Sequence, residues 1–132
     1  MSTLFFSPSA IGRHLLVDLQ GISPLYLSNP ELIESALRQA AHAAGATPIF
    51  GKFHHFGPEQ GVTGVLLLQE SHISIHTWPE RGFAAVDVFM CGTCRPEVAI
   101  TVLQDILLPQ FAHVQTMSRG SHIPELEAHT LN

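Results

Sequence analysis

The chain has 132 residues, of which 45% are hydrophobic and 13% charged, a balance that suits one globular domain around one core. Its net charge of -5 and only 6 Lys and Arg residues argue against a phosphate-backbone partner, so we expect no nucleic acid. No apolar run approaches the length of a bilayer span, and the N-terminal stretch lacks the order of a secretion signal, so we expect a cytoplasmic protein with no membrane partner. Cys91 and Cys94 are too close in sequence to close a useful disulfide loop, and we expect reduced thiols.

The N-terminal part of the chain predicts one short element and one clear helix. "HLLVDL", residues 14–19, fits a strand, although so short an apolar run does not exclude a helix. Asn29 can cap a helix that has Pro30 at its first position, and an apolar stripe then continues until Gly45. This pattern predicts a helix over 30–44.

The middle of the chain predicts two antiparallel hairpins. "TPIFGKFHHF" and "GVTGVLLLQ" flank the turn residues "GPEQG", and "HISIHT" and "GFAAVDVFMC" flank "WPERG". "RPEVAITVLQDILLPQF" then predicts a second helix, with Pro96 near its start and Pro109 as its stop. "AHVQTMS" fits a last strand, and we expect residues 121–132 to form a flexible tail.

This order of elements predicts an α+β fold for a single domain over residues 1–132. The expected architecture is a two-layer sandwich, in which a mostly antiparallel sheet carries helices on one face. The other face of the sheet would stay partly apolar, which is typical of a dimer interface and equally of a functional groove.

The stretch "QESHISIHTWPERG" alternates as a strand does, and therefore puts His72, Ser74 and His76 on one face. A solvated polar face would give the same pattern. A zinc site is a second explanation, because His72 and His76 with Cys91 and Cys94 could supply a tetrahedral set, although no common zinc spacing is matched. Nucleophilic catalysis by a serine and a histidine is a third, but the chain has no G-x-S-x-G elbow.

The longer stretch "ESHISIHTWPERGFAAVDVFMCG" resembles the prokaryotic S-adenosylmethionine decarboxylases of the short bacterial and archaeal class, which are self-processing pyruvoyl enzymes. "HLLVDLQG", "NPELIESALRQAAHAAGAT" and "GVTG" occur in the family's order, so the resemblance runs from about His14 to Gly120. It implies that the chain cuts itself at the Glu70-Ser71 bond. The products would be a beta chain, 1–70, and an alpha chain, 71–132, that starts with a pyruvoyl group.

The resemblance also implies how the cut would occur. The Ser71 hydroxyl attacks the Glu70 carbonyl, and elimination of the resulting ester followed by hydrolysis leaves a ketone and releases ammonia. His76 matches the family histidine that acts as the processing base. Thr63 stands where relatives have a serine that supports cleavage, and Cys91 matches the cysteine that returns a proton during decarboxylation.

Three further residues match the family's substrate-binding positions. Phe56 resembles the aromatic residue that stacks on adenine, Glu80 would accept hydrogen bonds from ribose hydroxyls, and Trp78 would wall the pocket. Cys94 matches no family residue, and we expect it to be structural. Asp87 lies within a strand, and we expect it to accept structural hydrogen bonds.

The implied function is the conversion of S-adenosylmethionine to its decarboxylated form, the aminopropyl donor for spermidine synthesis, through a Schiff base on the self-made pyruvoyl cofactor and with no metal. The implied assembly is a homodimer of processed chain pairs, in which each active site draws on both protomers. Three alternatives remain. The same scaffold could decarboxylate ornithine or arginine, the uncut chain could be a zinc-binding module, or it could be an unprocessed partner of an active relative.

Overall fold

The computed structural model describes residues 10–120, which form six strands and three helices. The strands are β1 (Gly12–Gln20), β2 (Pro48–His55), β3 (Val62–Leu68), β4 (Ser71–Trp78), β5 (Phe83–Cys91) and β6 (Phe111–Arg119). The helices are α1 (Pro24–Leu27), α2 (Pro30–Ala43) and α3 (Pro96–Leu107), and a single 3-10 turn spans Pro79–Arg81.

All six strands form one antiparallel sheet in the order β2-β3-β4-β5-β1-β6. The hairpins β2-β3 and β4-β5 are those predicted from the turn residues, and the run at 14–19 is a strand. β3 and β4 are joined by the tight turn Gln69-Glu70, because Leu68 is already paired with Ser71. The α+β prediction, with helices on one face of an antiparallel sheet, is confirmed.

The helix boundaries follow from local capping. The Asn29 side chain accepts a hydrogen bond from the backbone N–H of Leu32 at 3.1 Å, and Pro30 occupies the first helical position. α2 ends near the predicted Gly45, which has a φ of 88°. α3 ends at Leu107, just before the predicted stop at Pro109, and Leu108 between them adopts a left-handed φ of 54°.

The helices cover one face of the sheet and enclose the hydrophobic core. β1, β3, β4 and β5 contribute their alternate side chains to this core, and α2 and α3 contribute their apolar stripes, whereas β6 is exposed along its whole length. The largest fully buried side chains are Leu15, Leu19, Leu27, Ile33, Leu37, Val62, Leu66, Ile73, Ile75, Met90, Leu103 and Leu107. This burial supplies most of the driving force for folding, at roughly 25 cal/mol per Å² of apolar surface removed from water.

The opposite face of the sheet, which we call the open face, is not covered by any helix of the described residues. It carries the alternate side chains of the strands, including His14, His72 and His76. Leu16 is 45% exposed on this face and Leu67 is 43% exposed, so a partly apolar surface meets solvent in the single chain.

Two short elements were not predicted, namely α1 and the 3-10 turn at Pro79. Ser23 caps α1 through a 3.3 Å bond from Leu25 N–H, a local signal hidden by the brevity of the segment. The predicted flexible tail at 121–132 lies outside the described residues. In the part that is described, every helix is too short or too polar to cross a bilayer.

Candidate functional site

The predicted cleavage bond lies where the β3-β4 turn meets β4. Glu70 is the second turn residue and has a φ of 60°, in the left-handed region that non-glycine residues seldom occupy. Such a conformation costs about 1–2 kcal/mol, which the flanking strand pairs must offset. The peptide bond to Ser71 is therefore held beside a strained residue.

Cys91 ends β5 beside this turn. Its thiol lies 3.4 Å from the carbonyl oxygen of Glu70 and 3.8 Å from the hydroxyl of Ser71. We call Glu70, Ser71 and Cys91 the cleavage half-site. Next to it lies a cavity of about 410 Å³, lined by Ile11, Gly45, Ala46, Thr47, Gln69, Glu70, Cys91, Gly92, Thr93 and Cys94.

Thr63 and His76 form a second cluster, on the open face. They face each other across β3 and β4, with the threonine hydroxyl 3.1 Å from Nδ1 of the histidine. A cavity of about 310 Å³ lies beside them and is also lined by Phe56, Trp78 and Glu80. All three residues predicted to bind substrate thus line the same cavity as Thr63 and His76. We call these five residues the histidine half-site.

The aromatic side chains of the histidine half-site are available for stacking. Phe56 is 61% exposed, and Trp78 is 38% exposed and stacks on Phe83 with ring centroids 5.2 Å apart. Trp78 therefore walls the cavity instead of filling the core.

The two half-sites of one chain are far apart. Ser71 begins β4 and His76 lies five residues further along, so about 17 Å of strand separates them. An odd spacing along a strand also directs the two side chains to opposite faces. This separation follows from the five-residue spacing of Ser71 and His76 along one strand.

A third cluster surrounds Asp87 on the open face. One carboxylate oxygen accepts bonds from Nε2 of His14 at 2.6 Å and of His72 at 2.8 Å, and the other accepts from the Ser74 hydroxyl. Burial acts to raise the pKa of Asp87, but the hydrogen bonds from Ser74, His14 and His72 outweigh it, so the pKa lies below its ordinary value. Asp87 is a structural acceptor, as predicted.

The other members of this cluster were not predicted from the sequence. The Arg119 guanidinium on β6 lies 2.9 Å from Nδ1 of His14, although the two residues are more than 100 positions apart in the sequence. Nothing in the local pattern relates two residues so far apart. The alternation of side chains along β5 could have predicted that Asp87 lies on the same face as the β4 histidines. It could not have predicted that His14 lies beside Asp87.

The four side chains considered as zinc ligands do not converge within residues 10–120. His72 is bonded to Asp87 and His76 to Thr63, and Cys94 packs against the core with its thiol 3.4 Å from the carbonyl oxygen of Gly45. The group of described residues close enough to hold a metal is a different one: His14, His72 and Asp87. The zinc-module alternative therefore loses its ligand set.

Comparisons with known proteins agree with the geometry. The family model described as S-adenosylmethionine decarboxylase matches residues 13–120. A protein of Thermosipho africanus named S-adenosylmethionine decarboxylase proenzyme is 41% identical over 127 residues, which cover 92% of this chain and 97% of that protein. One of the same name from Methanococcus maripaludis is 47% identical over 111 residues, covering 83% and 90%.

A solved structure gives the same result. The crystal structure of the adenosylmethionine decarboxylase from Aquifex aeolicus superposes with a TM-score of 0.80 at 37% identity, and the match covers 89% of this chain and 96% of that one. The chain belongs to the S-adenosylmethionine decarboxylase family.

Proposed function

We propose that the chain is a proenzyme that cuts itself between Glu70 and Ser71 and then decarboxylates S-adenosylmethionine. The observation that carries this proposal is the position of the Cys91 thiol, 3.4 Å from the Glu70 carbonyl oxygen and 3.8 Å from the Ser71 hydroxyl. A carbonyl, a hydroxyl and a thiol thus meet at one peptide bond. The proenzyme names of the relatives support the same conclusion.

The turn favours opening of the chain. Attack of the Ser71 oxygen on the Glu70 carbonyl carbon forms an ester and breaks the amide bond, with the Ser71 nitrogen leaving as an amine. The ester still joins the two parts of the chain, and its elimination releases Glu70 as a carboxylate. The left-handed strain of Glu70 is relieved once the chain is open. The products are chains 1–70 and 71–132.

The residues around Ser71 suit the pyruvoyl group that would form from it. Its ketone would lie beside Cys91, which occupies the position next to the precursor hydroxyl. The ketone supplies an electron sink for an amino acid that loses carbon dioxide. Cys91 Sγ would hold the proton that replaces the lost carboxylate.

The separation of the half-sites supports a homodimer. One chain keeps His76 roughly 17 Å of strand away from its own Ser71, so a second copy must supply the histidine if it acts on that serine. A twofold pair brings the same surface of both chains together. Because the Ser71 hydroxyl points to the face opposite His76, the cleavage half-site of one chain would meet the partner's histidine half-site at the turn end of β4, at the edge of this surface. The partly apolar open face provides the surface for this contact.

In such a dimer, the histidine half-site of one chain completes the cleavage half-site of the other. His76 would remove the proton that drives elimination of the ester, and the Thr63 hydroxyl would bind the carbonyl oxygen at the cut. The 3.1 Å contact between the two side chains would orient the imidazole for this task.

The lining of the histidine half-site favours a nucleoside substrate. The exposed rings of Phe56 and Trp78 offer a stacking surface for adenine, and the rings attract the positive sulfonium as well. The Glu80 carboxylate would accept hydrogen bonds from the ribose hydroxyls. Ornithine and arginine have no aromatic group for this surface.

The product would be decarboxylated S-adenosylmethionine, an aminopropyl donor for spermidine synthesis, formed in the cytoplasm, where thiols such as Cys91 stay reduced. The test is carbon dioxide release from carboxyl-labelled S-adenosylmethionine, ornithine and arginine, each with the cleaved protein. We expect release from the first alone, and a rise in its KM in Phe56→Ala. Turnover of either other amino acid without turnover of S-adenosylmethionine contradicts the proposal.

A further inference from the structure

We infer that His72 and Asp87 hold the chain end that cleavage creates, and so keep residue 71 beside Cys91. These are positioning residues, because they act on the reacting group through the backbone. The inference rests on the proposed function, since it requires a new chain end at residue 71.

The need for such a hold arises from the cut itself. In the uncut chain, the turn residue Glu70 fixes Ser71 covalently, and Ser71 pairs with Leu68 at the end of the β3-β4 ladder. After the cut, residue 71 becomes the end of β4 and has no backbone N–H to give to that ladder. Chain ends fray unless they are tied down. A frayed end would carry the group away from the Cys91 thiol.

His72 is the first side chain behind that end, and it is tied to the strand that carries Cys91. Its Nε2 lies 2.8 Å from the carboxylate of Asp87, and the two side chains are 35% and 22% exposed. Asp87 and Cys91 lie on the same strand, β5. The bond therefore joins the strand that carries the reacting end directly to the strand that carries its proton donor.

The directions of the hydrogen bonds show that the Asp87 carboxylate is a fixed acceptor. Arg119 can only donate, so Nδ1 of His14 must accept, and its Nε2–H is left to donate to Asp87. His72 and Ser74 donate to the same carboxylate. Three donors from β1 and β4 fix its orientation, and the lowered pKa of Asp87 keeps it ionised.

The same assignment argues for a hydrogen-bonded cluster instead of a metal site. A metal at His14, His72 and Asp87 would have to bind the Nε2 lone pair of His14, but that nitrogen carries the proton. The Arg119 guanidinium beside it adds a positive charge that opposes a cation.

Phe89 fixes the planes of the two imidazoles. Its ring centroid lies 5.5 Å from that of His14 and 6.1 Å from that of His72, and the Arg119 guanidinium lies 6.0 Å from it. Phe89 is paired with His72 on one side and His14 on the other. The imidazoles therefore have little freedom to turn away from Asp87.

The experiment is hydrogen exchange of the β4 peptide in cleaved and uncleaved protein. His72→Phe removes the donor but keeps an aromatic ring, and His72→Gln keeps a donor. Each is made in the native chain and in Ser71→Ala, which stays uncut. Asp87→Asn provides a second way to break the bond, and His42→Phe, on an exposed position of α2, is the matched control.

In the cleaved protein, we expect His72→Phe to speed exchange of the amides of residues 72–74 by about tenfold to a hundredfold, the effect of losing a hydrogen bond to a charged group. Asp87→Asn should do the same, His72→Gln should have a smaller effect, and His42→Phe should have none. In Ser71→Ala, where the covalent turn holds β4, the His72 variants should change this exchange little.

Equal acceleration in the cleaved and uncleaved forms contradicts the inference, because it indicates a general structural role. Unchanged exchange in the cleaved form contradicts it too. A folded His72→Phe protein that stays uncut would show that the residue acts on cleavage itself, which also overturns it. An uncut native chain contradicts the proposed function and this inference together, whereas a cut chain with unchanged exchange contradicts this inference alone.

Discussion

Thr63 and His76 lie 3.1 Å apart across β3 and β4, whereas Ser71, on which both are proposed to act, starts β4 five residues earlier. β4 thus carries Ser71 of the cleavage half-site at its start and His76 of the histidine half-site near its end. If both residues act on Ser71, this arrangement requires a second chain to complete the site.

Mixing two inactive variants tests whether a second chain completes the site. Ser71→Ala has no nucleophile and His76→Ala has no base, so neither should cut alone. In a mixed dimer, the His76→Ala chain supplies Ser71 and the Ser71→Ala chain supplies His76, so the His76→Ala chain should be cut. The measurement is denaturing electrophoresis after the two proteins are unfolded and refolded together.

The control for this experiment is each variant refolded alone at the same total concentration. Failure of the mixture to cut, although mixed dimers are present, would argue that the two half-sites never meet. If the His76→Ala protein is cut when refolded alone, His76 is not required for cleavage.

A charge on the open face should separate the dimer. Leu16→Asp places a carboxylate in the middle of this face, at a side chain that is 45% exposed in the single chain. We expect a monomer that does not cut itself, measured by analytical ultracentrifugation and electrophoresis. Leu108→Asp, at a position 62% exposed beyond α3, should remain a cleaving dimer. A monomeric Leu16→Asp that cuts at the native rate would disprove the need for a partner.

The hydroxyl at position 63 should control the speed of cleavage. The Thr63 hydroxyl contacts His76, and its extra methyl group restricts the side chain relative to serine. We expect Thr63→Ser to cut at least as fast as the native chain and Thr63→Ala to cut slower by about tenfold or more, the cost of a lost hydrogen bond in a site. Time courses of fragment formation measure both. Equal rates for the serine and alanine variants would exclude a role for the hydroxyl.

Loss of the Cys91 thiol should separate cleavage from turnover. Cys91→Ala keeps Glu70 and Ser71, and we expect it to cut, but to release carbon dioxide about a hundredfold to ten-thousandfold more slowly because its proton donor is gone. Cys94→Ala should retain both activities, since Cys94 packs against the core. If Cys91→Ala releases carbon dioxide at the native rate, another group donates the proton that replaces the lost carboxylate.

The stability of the fold should depend on the ionisation of Asp87. Its pKa in the folded chain is below the ordinary 3.8, because the hydrogen bonds from Ser74, His14 and His72 outweigh burial. The ionised form therefore stabilises the fold above pH 3.8, and this contribution is lost as the pH falls below 3.8 through the folded-state pKa.

Asp87→Asn should accordingly lower the free energy of unfolding by about 1–3 kcal/mol at neutral pH, and the difference should narrow in acid. Urea unfolding of both proteins in the uncut Ser71→Ala background measures it. If the difference in free energy of unfolding between the two proteins grows as the pH falls, the ionised Asp87 carboxylate does not stabilise the fold.

Local patterns were enough to predict most of the fold. Alternation around "WPERG" and "GPEQG" located two hairpins, and Asn29 with Pro30 located a helix start. Pro109 located the end of α3, which stops at Leu107. The left-handed conformation of Leu108 has no signal in the sequence.

The site was predictable residue by residue but not in its arrangement. The motif named Ser71, His76 and Cys91, and the contact of Cys91 with the cleavage bond follows from the strand register. The distance between Ser71 and His76 follows from counting residues along one strand. The cluster of His14 and Arg119 depends on β1 lying between β5 and β6, a sheet order that local patterns do not specify.

Self-cleavage is tested most directly by the intact mass of the purified protein under denaturing conditions. A self-processed chain should give two fragments divided after Glu70, the second lighter by one molecule of ammonia than the same fragment beginning with Ser71. A single uncut mass in fresh and aged protein would contradict it.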